Sequence, residues 1–308
     1  MTFTRQICCA LSFVLLGSGA GLAADLAAPK DDIVFAKLKI DSDAAERLRL
    51  ANQLPMLTQR VAAASCAMSA GVAVEDNRDV LKASSREFGA IIRALTSGNP
   101  HMNIAGPEQN RRLLNDIEIV SEAWGYTKSA IYSRLSGRDD AENAVLIDAH
   151  SSAILAMTST LAADFYGHYV QPFEIKQSDA MALTIASRQA LLTQQIAHDA
   201  CQFWASDSNA VDGKKLQDTI QVYENSLTAL RGGMANAGLQ PAPTAQIADE
   251  LTRSAASWAM LKKTHFTDVS SKPLNSDEKQ AFLSDLNAEL HNIERLVGHY
   301  VAFAERHH

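Results

Sequence analysis

The chain has 308 residues, enough for two domains of ordinary size, and its hydrophobic share of 47% is normal for a globular protein. The formal net charge is −7, and no basic run or Arg/Lys stripe interrupts it. That balance excludes nucleic acid as a favoured partner and disfavours docking on acidic membranes.

Residues 1–24 read as a secretory signal peptide. Arg5 supplies the positive start, and Ile7 through Leu16 form a short apolar core. Gly17 to Ala24 is small and flexible, with cleavage placed after Ala23 or Ala24. The apolar run falls short of the ~20 residues that span a bilayer, so an uncleaved anchor is the less economical alternative. Cys8 and Cys9 lie well before the cleavage site, which does not fit a lipoprotein anchor. The mature product is expected to be exported to the periplasm.

Helical periodicity dominates the remainder of the chain. Leu50, Leu54, Leu57, Val61, Ala64 and Met68 recur at spacings of three and four, as an amphipathic helix requires. Breakers predict helices over 41–72, 76–98, 107–136 and 140–170, separated by Gly71 with Asp76-Asn77, by Ser97-Gly98-Asn99-Pro100, and by Ser136-Gly137. Val145 to Ala163 is the most apolar stretch, but Asp148, His150 and many Ser/Thr residues make it a core helix rather than a membrane span. After a hinge at Gln171-Pro172-Phe173, helices are expected over 177–207, 212–236, 243–268 and 275–306. Their separators are Asp207-Ser208-Asn209, Gly232-Gly233 through Pro243, and Ser271-Lys272-Pro273. Asp41 and Ser276 stand where helix caps belong.

The two halves are copies. Leu57-Thr58-Gln59-Arg60-Val61-Ala62 returns as Leu192-Thr193-Gln194-Gln195-Ile196-Ala197, an offset of 135. The offset persists through Cys66 and Cys201, Leu81 and Leu216, Phe88 and Tyr223, and Leu95 and Leu230. It slips by one at Trp124 and Trp258, and further at Gly167-His168-Tyr169-Val170 and Gly298-His299-Tyr300-Val301. So long a period marks a duplicated domain, not a solenoid unit. The expected fold is all-α: two tandem up-down four-helix bundles, 25–172 and 173–308, forming a pseudo-two-fold dimer within one chain.

With Cys8 and Cys9 in the leader, Cys66 and Cys201 remain, at equivalent positions. In an oxidising compartment an even pair reads as a disulfide; two buried thiols are the alternative. Residues seven apart share a helix face, so Cys66 points with Gln59 and Asn52, and Cys201 with Gln194 and Ser187. A Cys66–Cys201 bond needs Cα atoms within about 7 Å, which would set the two first helices parallel and level. Gln59 would then face Gln194, and Asn52 would face Ser187. Beside this face stand Arg60 in one copy and Arg188 in the other. Guanidinium forks suit planar oxyanions, although both arginines can equally snorkel to water. Pro55 removes one hydrogen bond inside the first helix, where Ala190 keeps it in the second.

Leu50-Ala51-Asn52-Gln53-Leu54-Pro55-Met56-Leu57-Thr58-Gln59-Arg60-Val61-Ala62 resembles the first-helix motif of the PilJ-type domain, and so does Ile185-Ala186-Ser187-Arg188-Gln189-Ala190-Leu191-Leu192-Thr193-Gln194-Gln195-Ile196-Ala197. That domain is the periplasmic sensor region of type IV pilus chemotaxis transducers and is similar to the sensor domain of NarX-type nitrate/nitrite kinases. The resemblance implies four-helix bundles that pair through their first helices and, in the nitrate-sensing branch, an anion bound at that junction. There an arginine from each subunit holds the anion. Pro55 and Ala190 occupy the matching positions here, so nitrate recognition by that route is not expected. The chain carries no transmembrane helix, signalling coiled coil or kinase after the repeats, so a signal would leave through a membrane receptor or transporter partner.

Other chemistry is sparse. His198, His168, His299, His291 and the terminal His307-His308 show no Glu-x-x-His pair recurring on two helices. No metal or cofactor is expected. There is no Gly-x-Ser-x-Gly, phosphate loop or His-Glu-x-x-His, and no enzyme is expected. The sequence therefore points to a binding module whose ligand, a small molecule or anion, is contacted by Asn52, Gln59, Arg60, Ser187, Arg188 and Gln194. An adaptor without ligand is the alternative, and a helical metal or redox protein a third class.

Overall fold

Leucines three and four residues apart wind the first segment into α1 (Ala44–Ser69), and every one of Leu50, Leu54, Leu57, Val61, Ala64 and Met68 is buried. The computed structural model describes residues 43–138, 140–170, 174–206, 210–266 and 274–306. Among the described residues the remaining α-helices are α2 (Val74–Ser97), α3 (Arg111–Leu135), α4 (Asp140–Tyr169), α5 (Gln177–Ala205), α6 (Ala210–Gly232), α7 (Ala245–Leu261) and α8 (Ser276–Ala304). Isolated bridges Asn99–Ile104 and Met234–Leu239 are the only β pairing among them. The protein is an all-α helical bundle.

Each expected segment is a helix; α2 and α6 begin two residues earlier than expected, and most other ends are trimmed. Asp76 and Asn77, expected in a break, lie in the first turn of α2, because the chain has already turned at Gly71 (φ +68°) and Ala73 (φ +41°). The cap of α8 is Asn275, not Ser276: its side chain accepts from Glu278 N while the Glu278 carboxylate accepts from Asn275 N, a capping box. α7 stops at Leu261 and continues as a π-helical turn, Lys262–Phe266. The expectations for residues 1–24, Asp41, Gln171-Pro172-Phe173, Asp207-Ser208-Asn209, Ser271-Lys272-Pro273 and His307-His308 lie outside the described residues.

All eight helices belong to one compact unit. α1 packs on α2, α4 and α5; α5 packs on α1, α6 and α8; α3 lies against α2 and α4, and α7 against α6 and α8. α1 and α5 are thus the two central helices, and α1 is buried on nearly every side, as a helix apolar around most of its circumference must be. It runs unbroken through Pro55.

The duplication extends to details of backbone. After α2, Gly98 (φ +80°) opens a short 3-10 turn, Pro100–Met102, closed by the Asn99–Ile104 bridge. After α6, Gly233 (φ +75°) does the same with Ala235–Ala237 and the Met234–Leu239 bridge. Both positions require glycine twice over. Besides the left-handed φ, a β-carbon at Gly98 would lie 2.7 Å from the Gly106 backbone, and one at Gly233 2.8 Å from Pro241. Matching aromatic pairs fill the two interiors, Phe88 on Trp124 at 3.9 Å and Tyr223 on Trp258 at 4.3 Å.

α4 departs from the core helix expected of Val145 to Ala163. It is long and apolar enough to cross a membrane by length and composition, and only 28% of its most apolar window is buried. Ile147, Ile154, Leu161 and Phe165 face inward, while Val145, Leu146 and Met157 face out among exposed Ala, Ser and Thr residues. Short side chains of low polarity make the segment read as interior when only one face of it is.

Candidate functional site

The seam between α1 and α5 is joined covalently. Cys66 and Cys201 form a disulfide with Cα atoms 6.1 Å apart, so the alternative of two buried thiols falls. Equivalent residues of the two copies therefore meet side by side. Cys201 is fully buried, but Cys66 is half-buried and lines an open groove of about 440 Å3 that also includes Ser65, Asp148 and Gln202.

One and two turns from the disulfide the polar faces come together. Gln59 and Gln194 are both buried. Gln59 Oε1 lies 3.2 Å from His198 Nδ1 on α5, and the other ring nitrogen, Nε2, lies 2.9 Å from Asp148 Oδ1 on α4. Gln202 Nε2 donates to the same carboxylate oxygen at 3.0 Å. This chain of contacts crosses the seam and holds the Asp148 carboxyl below the usual carboxylate range, chiefly through its hydrogen bond with His198. Gln194 fares differently. Its symmetry-related neighbour would stand at Ala63, the counterpart of His198, and an alanine offers no polar group; Gln194 Nε2 is buried with no partner. Sequence reasoning leaves His198 aside, although it lies four residues after Gln194 and three before Cys201, on the same face.

Further along the seam Asn52 and Ser187 line one cavity of about 240 Å3, as the level pairing of the helices demands. Asn52 donates to Leu48 O at 2.8 Å, which leaves its amide oxygen available. Ser187 Oγ is buried without a partner. Its other polar lining is Arg49 and Gln53 on α1, Glu87 on α2 and Glu294 on α8, and Met56, Ala190 and Val297 complete the wall. Gln53 Nε2 donates to Glu87 at 2.5 Å, and Arg49 is held by Glu46 at 2.6 Å.

The two arginines expected here are not in the cavity wall. Arg60 is half-buried, with Nε buried and unpaired, and acts on the cavity through its charge, which lowers the pKa of Glu87. Arg188 is exposed and lines a separate groove between α5 and α6 with Lys214, Lys215 and Asp218. One residue along a helix is a rotation of about 100°, so the neighbour of Ser187 points away from the seam. The wall thus holds two carboxylates and one guanidinium, the latter already paired. An anion is therefore poorly matched to this cavity.

Burial pushes the Glu87 carboxyl above its ordinary value of 4.5; Arg60 opposes the shift and Glu294 adds to it. An acid whose folded pKa is raised opposes folding when ionised. That cost is present above the folded pKa and disappears as pH falls below the unfolded value. Glu87→Gln is therefore expected to melt about 1–2 °C above the parent at pH 7, a small gain because the group is partly solvated. The gain should shrink as pH approaches 4.5 and vanish below it. Thermal melts of both proteins at three pH values check this; an advantage that ignores pH would assign it to packing.

Among the described residues no group of three His, Cys, Asp or Glu side chains is placed to hold a metal ion. Comparison with protein-family models, with curated proteins and with solved structures found no match to this chain.

Proposed function

We propose that this protein is an exported, non-enzymatic sensor module of the PilJ type, in which two tandem up-down four-helix bundles, 25–172 and 173–308, stand as a pseudo-dimer around the α1–α5 seam. Its small ligand sits in the seam cavity, and the occupied state is passed to a membrane receptor or transporter partner. The observation that carries this reading is the buried, unpaired Ser187 Oγ in the wall of a polar cavity at the junction of the copies. A buried hydroxyl without a partner costs roughly 1–3 kcal/mol, which a ligand acceptor or donor recovers. Packing also supports it: α1 gathers α2 and α4 while α5 gathers α6 and α8.

The chemistry of the wall refines the ligand class. Glu87 and Glu294 outnumber Arg49, and Glu87 ionises reluctantly. A small ligand with an ammonium group, an amine or an amino acid, answers both features, and Asn52, Gln53 and Ser187 supply neutral hydrogen bonds. Gln59, Gln194, Arg60 and the His198–Asp148 pair lie beyond the cavity toward the disulfide and couple occupancy to the seam.

Calorimetric titration with small amines and amino acids, and with nitrate, nitrite and carboxylates for contrast, tests the reading. Amines are expected to bind with proton release in the pH range where Glu87 titrates, because the ammonium draws Glu87 toward ionisation. Ser187→Val and Glu87→Gln should each weaken binding at least tenfold, and Gln59→Ala with Gln194→Ala should alter it. Failure of every ligand to bind, or affinity indifferent to Ser187 and Glu87, would overturn it. The ligand-free adaptor reading draws on a separate feature, the exposed apolar residues Val145, Leu146 and Met157 on the outer face of α4, and predicts a stable partner recovered by pull-down from periplasm.

A further inference from the structure

A second cavity, about 500 Å3 in volume, opens between α2 and α3. Arg78, Lys82, Arg86 and Arg93 reach it from α2 and Lys128 from α3, against one acid, Asp79. Arg78 lies 3.4 Å from Glu75. Lys82, Arg86, Arg93 and Lys128 form no ion pair among the described residues, although the chain as a whole is acidic. All four are exposed, and together they raise the local positive potential of the concavity, which attracts an anion.

The second copy shows what that counter-charge does. At the equivalent place Glu224 on α6 accepts from Trp258 Nε1 at 3.0 Å and from Lys262 Nζ at 2.6 Å. The first copy retains both donors. Trp124 stands for Trp258 and Lys128 for Lys262, each 134 residues earlier, and the Phe88–Trp124 stack repeats Tyr223–Trp258. The acceptor alone is missing, because Gly89 stands where the second copy has Glu224. The consequence is visible: Trp124 is 4% exposed, and its Nε1 is buried without a partner. In place of the carboxylate side chain, Arg93 Nη1 lies 3.4 Å from where a Gly89 β-carbon would be. The first copy thus lacks the acid, carries the same two donors and has Arg93 where the second copy has Thr228.

We infer that the α2–α3 groove binds a small polycarboxylate, one carboxylate of which occupies the place that the Glu224 side chain fills in the second copy. Trp124 Nε1 and Lys128 hold that first carboxylate. Arg93, Arg86 and Lys82 neutralise the others, and Ile131 with Tyr132 provides an apolar wall for the carbon skeleton. The fork of Arg93 fits a planar carboxylate in two contacts, and the indole donor distinguishes a bound acceptor from diffuse charge. This site is separate from the seam cavity and does not depend on it.

Calorimetry of the full chain at constant ionic strength is the test, with citrate, succinate, inorganic phosphate and glycerol as probes. Citrate is expected to bind at one site, succinate more weakly, and glycerol not at all. Lys128→Met should lower citrate affinity at least tenfold. Gly89→Glu restores the internal acid and should abolish citrate binding while raising the melting temperature, because Trp124 and Lys128 regain an acceptor; that rise guards against misreading a misfolded variant. Ser187→Val should leave citrate binding unchanged, which separates this site from the seam. Absence of citrate binding, equal affinity in parent and Gly89→Glu, or phosphate binding more tightly than any carboxylate would overturn the proposal.

Discussion

Reduction of the Cys66–Cys201 bond is expected to lower the unfolding free energy by up to about 5 kcal/mol, a large fraction of what holds a domain folded. The bond joins residues 135 apart in sequence, so it closes a loop that spans nearly half the chain. In the chain-entropy account a loop of that length restricts the unfolded ensemble far more than the short loops of small secreted proteins, although the dependence is only logarithmic. Little of the loss should come from the folded state, because α1 and α5 also pack against each other and both are lined with buried apolar residues. Cys66 is half-buried on an open groove, so a small thiol has access without unfolding. Urea unfolding with and without reductant, and of Cys66→Ala with Cys201→Ala, should show a lower midpoint and a larger m-value as the freed unfolded chain expands. A loss under about 1 kcal/mol would mean that the unfolded chain stays compact without the bridge. Because the bridge sets α1 and α5 level, reduction should also loosen ligand affinity at the seam.

The helices were legible because their signals are local. Leu50 to Met68 carry their own spacing, and the repeated Leu-Thr-Gln segments announce the duplication; the cap expected for α8 falls one residue late, on Ser276 instead of Asn275, because both residue types cap equally well. The disulfide was legible because cysteine arithmetic and the repeat together left one pair. Asn52 and Ser187 fall opposite one another once that bond is assumed, and they share a cavity wall. What escaped depends on packing between helices. Glu87 and Glu294 reach the seam cavity from α2 and α8, and nothing in the α1 motif refers to them. Asp148 meets His198 from 50 residues away, out of a helix that reads as interior because it is rich in alanine. Proximity in sequence assigns Arg188 to the seam, where a single step of helical rotation decides otherwise. The Gly89–Glu224 exchange stands in the aligned copies. Its meaning requires Trp124 and Lys128 on α3 to be set beside α2, which periodicity alone does not do.

Arg47→Ala is expected to cost about 4 kcal/mol, through charge rather than through lost apolar area. The Arg47 guanidinium is buried and ties together three parts of the first copy. Its Nε donates to Asp43 at 2.7 Å, its Nη2 donates to Gly106 O at 2.6 Å, and its Nη1 lies 3.6 Å from Glu108. Asp43 in turn accepts from Ala105 N at 2.6 Å, and Glu108 accepts from the Tyr169 hydroxyl at 2.6 Å. The start of α1, the α2–α3 loop and the end of α4 are thereby fixed to one another. Truncating the cation leaves Asp43 and Glu108, 3% and 5% exposed, as buried like charges facing the space it held. Two buried carboxylates that face each other without the cation repel when both are ionised, and acid relieves that repulsion, so the variant's deficit is expected to be larger at pH 7 than at pH 3.5. Urea unfolding at pH 7 and at pH 3.5 should show that contraction; an equal deficit at both would assign the cost to packing. Arg47→Met with Glu108→Gln should cost less than the two single changes added, by roughly 1–3 kcal/mol, because Arg47→Met strands the Glu108 charge that the second change removes, while Asp43 stays buried in both.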